Sequence, residues 1–130
     1  MSIVLTSRVN NNVKRRRVDI DFSSRSLQRA CNSGKELIRR WGKDRGHTIG
    51  RRLQHLAAAD NLLVLSAVRP AKLHILKGKR AGQFAVDGDY PYRIIFEPNE
   101  KTVPKNPDGG PDLRRITKIK IIEVVNYHDD

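Results

Sequence analysis

The chain has 130 residues, 38% of them hydrophobic, and its 26 Lys and Arg outnumber 14 Asp and Glu for a formal charge of +12. That length sustains one domain with its own core, and that charge favours an anionic partner such as nucleic acid while saying little about fold. The single cysteine, Cys31, excludes an internal disulfide framework and a multi-cysteine zinc site. No apolar run is long enough to span a bilayer, and the first residues lack a basic stretch followed by a long apolar one. The expectation is a reducing, cytoplasmic setting with no membrane partner.

In chain order, Ile3-Val4-Leu5 reads as a short strand, broken by Asn10-Asn11-Asn12. Lys14, Arg15, Arg16 and Arg17 form a basic run. Val18-Asp19-Ile20-Asp21-Phe22 alternates apolar and acidic residues, which places Val18, Ile20 and Phe22 on one face of a strand. Ser23 and Ser24 are N-cap residues for a basic amphipathic helix from about Arg25 to Trp41, with Leu27, Cys31, Leu37, Ile38 and Trp41 near helical spacing and Gly42 as its stop. Lys43 to Gly46 reads as a loop. A second helix starts near Thr48, with Ile49, Leu53, Leu56 and Ala57 on one side. Residues 61–68 are apolar without clear period.

From Lys72 the pattern shortens to strands: Lys72–Leu76, Phe84–Val86, Tyr92–Glu97 and Ile116–Tyr127, with Asp87-Gly88-Asp89 as a hairpin signal. The segment from Pro98 to Pro111 is rich in Pro, Asn, Asp and Gly. Helices followed by an antiparallel meander make an α+β domain. We expect one domain over 1–130, with a basic N-terminal segment at 1–22 and an exposed loop at 98–115. Leu53, Leu56, Ile94, Phe96, Ile119 and Ile121 lie on the apolar stripes of their elements and are the expected core.

The chemistry-bearing residues are few. The run from Lys14 to Arg17 reads as a phosphate contact that positions without specifying sequence, or as a solvated arm. His47, His55, His74 and His128 include no close ligand pair, so no metal or other cofactor is expected. His47 and His55 read as surface residues. Taken alone, His74 is a hydrogen-bonded strand histidine and His128 a terminal residue. Cys31, on an apolar stripe, reads as a buried thiol rather than a nucleophile.

The stretch from Lys72 to Val86, containing Leu73-His74-Ile75-Leu76-Lys77-Gly78-Lys79-Arg80-Ala81-Gly82, resembles the signature of HigB-type toxins in the RelE/ParE superfamily. Tyr92-Arg93-Ile94-Ile95-Phe96 is similar to the strand that follows in that family. Tyr127-His128 is similar to its closing pair, and Arg51 to Ala59 to its second helix. The resemblance runs from Arg45 to His128. It implies two helices packed on a twisted, mostly antiparallel sheet. It also implies a metal-independent, ribosome-dependent mRNA endoribonuclease, neutralised by a helix-turn-helix antitoxin of the HigA-like kind. On that resemblance His74, Arg93, Tyr127 and His128 are the catalytic residues, and Lys77, Lys79 and Arg80 join the basic run as RNA and phosphate contacts. The chain departs from the family pattern at Asn126, where Asp is usual, and in its longer loop after Pro98.

RNA cleavage by the neighbouring 2′-OH needs a base, an acid and fixed positive charge at the phosphorus. Two histidines and an arginine supply those three. Tyr127 could stack on an unpaired base. Two other readings stand beside this one: a non-catalytic toxin of the same fold acting on gyrase, and a basic nucleic-acid-binding regulatory module.

Overall fold

The computed structural model describes residues 17–127. Within them the chain forms an α+β domain with five strands in one sheet and four α-helices. The strands are β1 (Asp19–Phe22), β2 (His74–Ile75), β3 (Phe84–Asp87), β4 (Tyr92–Pro98) and β5 (Lys118–Asn126). The helices are α1 (Arg25–Ala30), α2 (Gly34–Trp41), α3 (Lys43–Ala58) and α4 (Leu62–Ser66). The sheet order is β1-β5-β4-β3-β2. Its three pairings from β2 to β5 are antiparallel, and β1 joins β5 in parallel. The sheet is therefore mixed rather than a pure meander, because β1 enters from before the helices and runs along the outside of the last strand.

The helical region differs from the sequence expectation in one instructive way. The expected single helix from Arg25 to Trp41 is two helices. Ser33 interrupts it: its backbone is extended and its hydroxyl accepts from the Glu36 amide at 3.2 Å, which restarts the helix at Gly34. Ser33 followed three residues later by Glu36 is the sequence signature of such a start. The expected loop at Lys43–Gly46 is the first turn of α3. Gly42, at φ 91°, ends α2 and opens α3, a backbone conformation that disfavours any residue with a side chain. Gly46 then lets the two helices touch: a Cβ there would stand 2.7 Å from the Leu37 carbonyl oxygen. The short α4 is capped by Asn61, whose side chain accepts from the Val64 amide at 2.9 Å, and it buries Leu62 and Leu65.

The main core lies between the helices and one face of the sheet. Leu53, Leu56, Ile94, Phe96, Ile119 and Ile121, the residues expected there, are all 0% exposed. Val18 and Ile20 are buried with them, and Phe22 packs against them. Phe84 and Phe96 stack across β3 and β4 with centroids 5.7 Å apart. Each such side chain taken out of water contributes about 1.5–3 kcal/mol before entropy is charged against it. A second, smaller cluster occupies the opposite face: Leu76, Ala85 and Ile95 are buried, with Ile122, Val125 and Tyr127 packed against them. A register shift where β4 passes Ile95 and Phe96 leaves Ile122 as an extra residue on β5. After it the alternation resumes, with Val124 toward the helices and Val125 away from them.

In the long connection after β4, Lys105 pairs with Pro111, and exposed residues, among them 105–109, alternate with half-buried ones. Val103 and Leu113 nevertheless pack against the main core. Among the described residues no helix is long and apolar enough to cross a membrane.

Candidate functional site

Strand alternation gathers one row of polar side chains on the face away from the helices. His74 lies opposite Ala85, Asp87 is two residues beyond Ala85, and Asp87 lies opposite Arg93. Arg93 in turn lies opposite Val125, two residues before Tyr127. Residues directly opposite or two apart point to the same side, so the register alone aligns His74, Asp87, Arg93 and Tyr127.

The contacts follow that alignment. His74 Nε2 is 3.0 Å from Asp87 Oδ1. Arg93 Nε is 3.3 Å from the same oxygen. The Arg93 guanidinium carbon lies 4.1 Å from the centre of the Tyr127 ring, within the range of a cation–π contact. The Tyr127 amide donates to the Pro91 carbonyl at 3.0 Å, which ties the end of β5 to the start of β4. All three polar side chains of the row are partly open to solvent, at 32% for His74, 29% for Asp87 and 26% for Arg93. From the helix side, Arg52 Nε donates to the Asp87 carbonyl at 2.8 Å and fixes the backbone that carries the carboxylate. Burial, then the neighbouring Arg51, pulls the Arg52 guanidinium below its usual range, while Asp87 pushes it back up.

A second polar bridge crosses the same face. Arg80, on the short 3-10 turn Gly78–Arg80, reaches Glu123 on β5 at 2.8 Å and Gln83 at 3.0 Å. Leu76, Ala85 and Ile95 form the apolar floor of this face.

Of the residues singled out in the sequence, the fold brings His74, Arg93 and Tyr127 into one contacting row. Arg80 stands on the same face, paired to Glu123. Lys77 and Lys79 flank it and are exposed. Arg17 is exposed at the edge of the described chain. Lys14, Arg15, Arg16 and His128 lie outside the described residues, as does the strand expected at Ile3-Val4-Leu5.

Asp87, Glu123 and Gln83 were not anticipated. Asp87 carried a visible signal: it is two residues from Ala85 on a strand and directly before a Gly. The Asp87-Gly88-Asp89 hairpin signal places it in the turn, whereas the strand extends one residue further and takes its carboxylate to the His74 side. Glu123 carried no such signal, because the extra residue at Ile122 shifts its face.

The other titratable groups behave as their surroundings dictate. Cys31 is fully buried, and burial pushes its thiol up to about 12 against a smaller opposing effect of Arg40. It is therefore a neutral packing residue at physiological pH. His47 is exposed, as expected. His55 is not a plain surface residue: it is half-buried and its Nδ1 is enclosed with no hydrogen-bond partner. Burial, followed by Arg52 and Arg51, lowers its pKa. Among the described residues no group of three or more His, Cys, Asp or Glu is arranged to hold a metal ion.

Comparison with protein-family models, with curated proteins and with solved structures finds no match for this chain.

Proposed function

We propose that the row His74–Asp87–Arg93–Tyr127 is the reaction centre of an endoribonuclease that cuts mRNA on the ribosome. The observation that carries this reading is the contact chain itself: an imidazole and a guanidinium that meet at one carboxylate oxygen, with an aromatic ring against the guanidinium, on the sheet face opposite the helices. The resemblance to HigB-type toxins supports it, since Arg93 and Tyr127 match family positions and His74 a histidine that some members carry.

The chemistry assigned is transesterification. A histidine nitrogen takes the proton of the 2′-OH, O2′ attacks phosphorus, the bond from phosphorus to O5′ breaks, and a second acid protonates the leaving O5′. The products are a 2′,3′-cyclic phosphate and a free 5′-OH. His74 and His128 share the base and acid roles. Arg93 stabilises the negative charge that builds on the phosphoryl oxygens. Tyr127 holds Arg93 from one side and offers a stacking surface for an unpaired base. The same resemblance assigns the neutralising partner, a helix-turn-helix antitoxin whose co-expression should abolish growth arrest.

The test is single-turnover cleavage of mRNA on a programmed ribosome, with end-group analysis. Cleavage leaving 2′,3′-cyclic or 3′-phosphate ends is expected. Absence of any cut by the wild-type chain would remove the ribonuclease reading. A second reading is favoured by a separate observation: Arg25, Arg29, Lys35, Arg39, Arg40, Lys43 and Arg51 are all exposed on α1 to α3. A helical layer so charged could hold an RNA backbone without chemistry. RNA retention that falls steeply with salt, with no cleavage, would favour that module.

A further inference from the structure

We infer that Asp87 is the positioning residue of this face: it fixes the proton of His74 on Nε2, leaves Nδ1 as the nitrogen with the free lone pair, and clamps Arg93 beside it. The inference rests on the proposed function for its consequence in catalysis, but its geometry can be tested without any RNA.

A carboxylate oxygen only accepts hydrogen bonds. At 3.0 Å from Asp87 Oδ1, Nε2 of His74 must be the donor. In the neutral ring that leaves Nδ1 as the acceptor, so Asp87 holds His74 wholly in the Nε2–H form that a free histidine only favours. Arg93 Nε lies 3.3 Å from the same oxygen, an ion pair that shields the carboxylate from competing partners. The carboxylate is itself held from behind, since Arg52 Nε binds the Asp87 carbonyl at 2.8 Å and Asp87 N donates to the Ala71 carbonyl at 2.7 Å. Both of its clients therefore meet a carboxylate whose backbone is fixed from two directions. With its proton on Nε2, His74 can take a proton only at Nδ1.

His74 Nε2 and Arg93 Nε stand at the same carboxylate oxygen, so an amide oxygen in its place can serve both, and Asp87→Asn should keep the proton on Nε2. Asp87→Ala removes the acceptor altogether. Nothing then holds the proton on Nε2, and the ring should exchange between its two tautomers.

The experiment is nitrogen-15 NMR of the imidazole nitrogens of His74 in the full chain, at a pH where the ring is neutral. It is paired with single-turnover cleavage on a programmed ribosome. The expected result is a single Nε2–H tautomer in the wild type and in Asp87→Asn, a mixture of tautomers in Asp87→Ala, and a cleavage rate at least about 10²-fold lower in Asp87→Ala. Arg93→Gln keeps the Asp87 carboxylate and should keep the Nε2–H tautomer, which separates loss of the carboxylate from loss of its other partner. A wild-type ring on Nδ1–H, a wild-type ring that already mixes tautomers, or a tautomer that follows Arg93→Gln, overturns the inference. So does an Asp87→Ala variant that cuts slowly with its tautomer unchanged, since that is a merely structural effect. A lock that is present in the wild type and lost in Asp87→Ala, in a chain that never cuts RNA, supports Asp87's role on the ring and rejects the ribonuclease reading instead.

Discussion

On β4, Ile94 and Phe96 face the helices and are fully buried, while Arg93 beside them turns the other way to Asp87 and Tyr127. The same alternation divides β3, where Val86 goes to the main core and Asp87 to the polar row. One strand thus serves two faces with opposite requirements. The helix-covered face is apolar and closed, and its residues hold the fold. The opposite face has a small apolar floor and a partly solvated row of ionisable groups. Because the period of a strand is two, a residue belongs to one face or the other with no intermediate choice. Substitutions should therefore separate cleanly into those that cost stability and those that cost chemistry.

The largest separation should appear between His74 and Phe96. His74→Ala and His128→Ala should each lower the single-turnover cleavage rate by about 10²–10⁴-fold, the usual worth of a positioned acid or base. Arg93→Ala should do comparable harm through lost charge stabilisation. His74→Ala should shift unfolding free energy by no more than about 1 kcal/mol, since it gives up one partly exposed hydrogen bond. Phe96→Ala should do the reverse, costing about 3–5 kcal/mol in denaturant unfolding while leaving the rate per folded molecule unchanged. A His74 variant that unfolds, or a Phe96 variant that is stable and inactive, would break the division of faces.

Gly46→Ala sharpens the same comparison from within the helical layer. The added carbon meets main-chain atoms of α2, with the Leu37 carbonyl carbon at 2.8 Å and Ile38 Cα at 2.9 Å. Backbone cannot swing aside as a side chain does, so α2 and α3 must separate, at a cost of about 1–3 kcal/mol. The measurement is a shift of the denaturation midpoint with no change in the cleavage rate of the folded fraction.

The expected core was legible because apolar residues recurred at the period of each element: Leu53 and Leu56 on α3, Ile94 and Phe96 on β4, Ile119 and Ile121 on β5. The break in the first helix was legible too, in Ser33 and Glu36, but the apolar spacing across it hid the stop. Gly46 misled for a physical reason. Glycine marks loops by its conformational freedom, whereas here it stands inside a helix because a neighbouring backbone leaves no room for a Cβ. Of the contacting row, His74, Arg93 and Tyr127 stand out in the sequence only through their resemblance to a family pattern. The partner that connects them was not legible, because Asp87 is joined to His74 by pairing between β2 and β3, a relation that local sequence does not carry.

A smaller effect belongs to His55, on the helix side. Its neutral form is favoured in the fold, first by burial and then by Arg52 and Arg51, so its folded pKa lies below the ordinary 6.5 of the unfolded chain. Below 6.5 the unfolded chain binds the proton more readily. The stabilising contribution is then fully present above that pH and is lost as pH falls through the folded value. Unfolding free energy measured from pH 7 downward should decline, and His55→Gln should flatten part of that decline. An unchanged slope would mean that the enclosed Nδ1 finds a proton-dependent partner in solution.

The smallest effect should come from Asn126→Asp, although it restores the residue usual in the resembling family. Asn126 lies opposite Tyr92, whose ring carries the Arg45 guanidinium at 4.0 Å on the helix side. Its neighbours Val125 and Tyr127 pack on the other face. Alternation therefore directs position 126 away from the row that holds His74. The carboxylate that a histidine needs beside it is already present as Asp87, delivered from β3 instead of β5. A second carboxylate at 126 would stand on the other side of the sheet from that row, and should leave the cleavage rate within about fivefold, since a partly solvated charge away from the row contributes at most about 1 kcal/mol. A rise of tenfold or more in single-turnover rate would place position 126 within reach of the reacting groups.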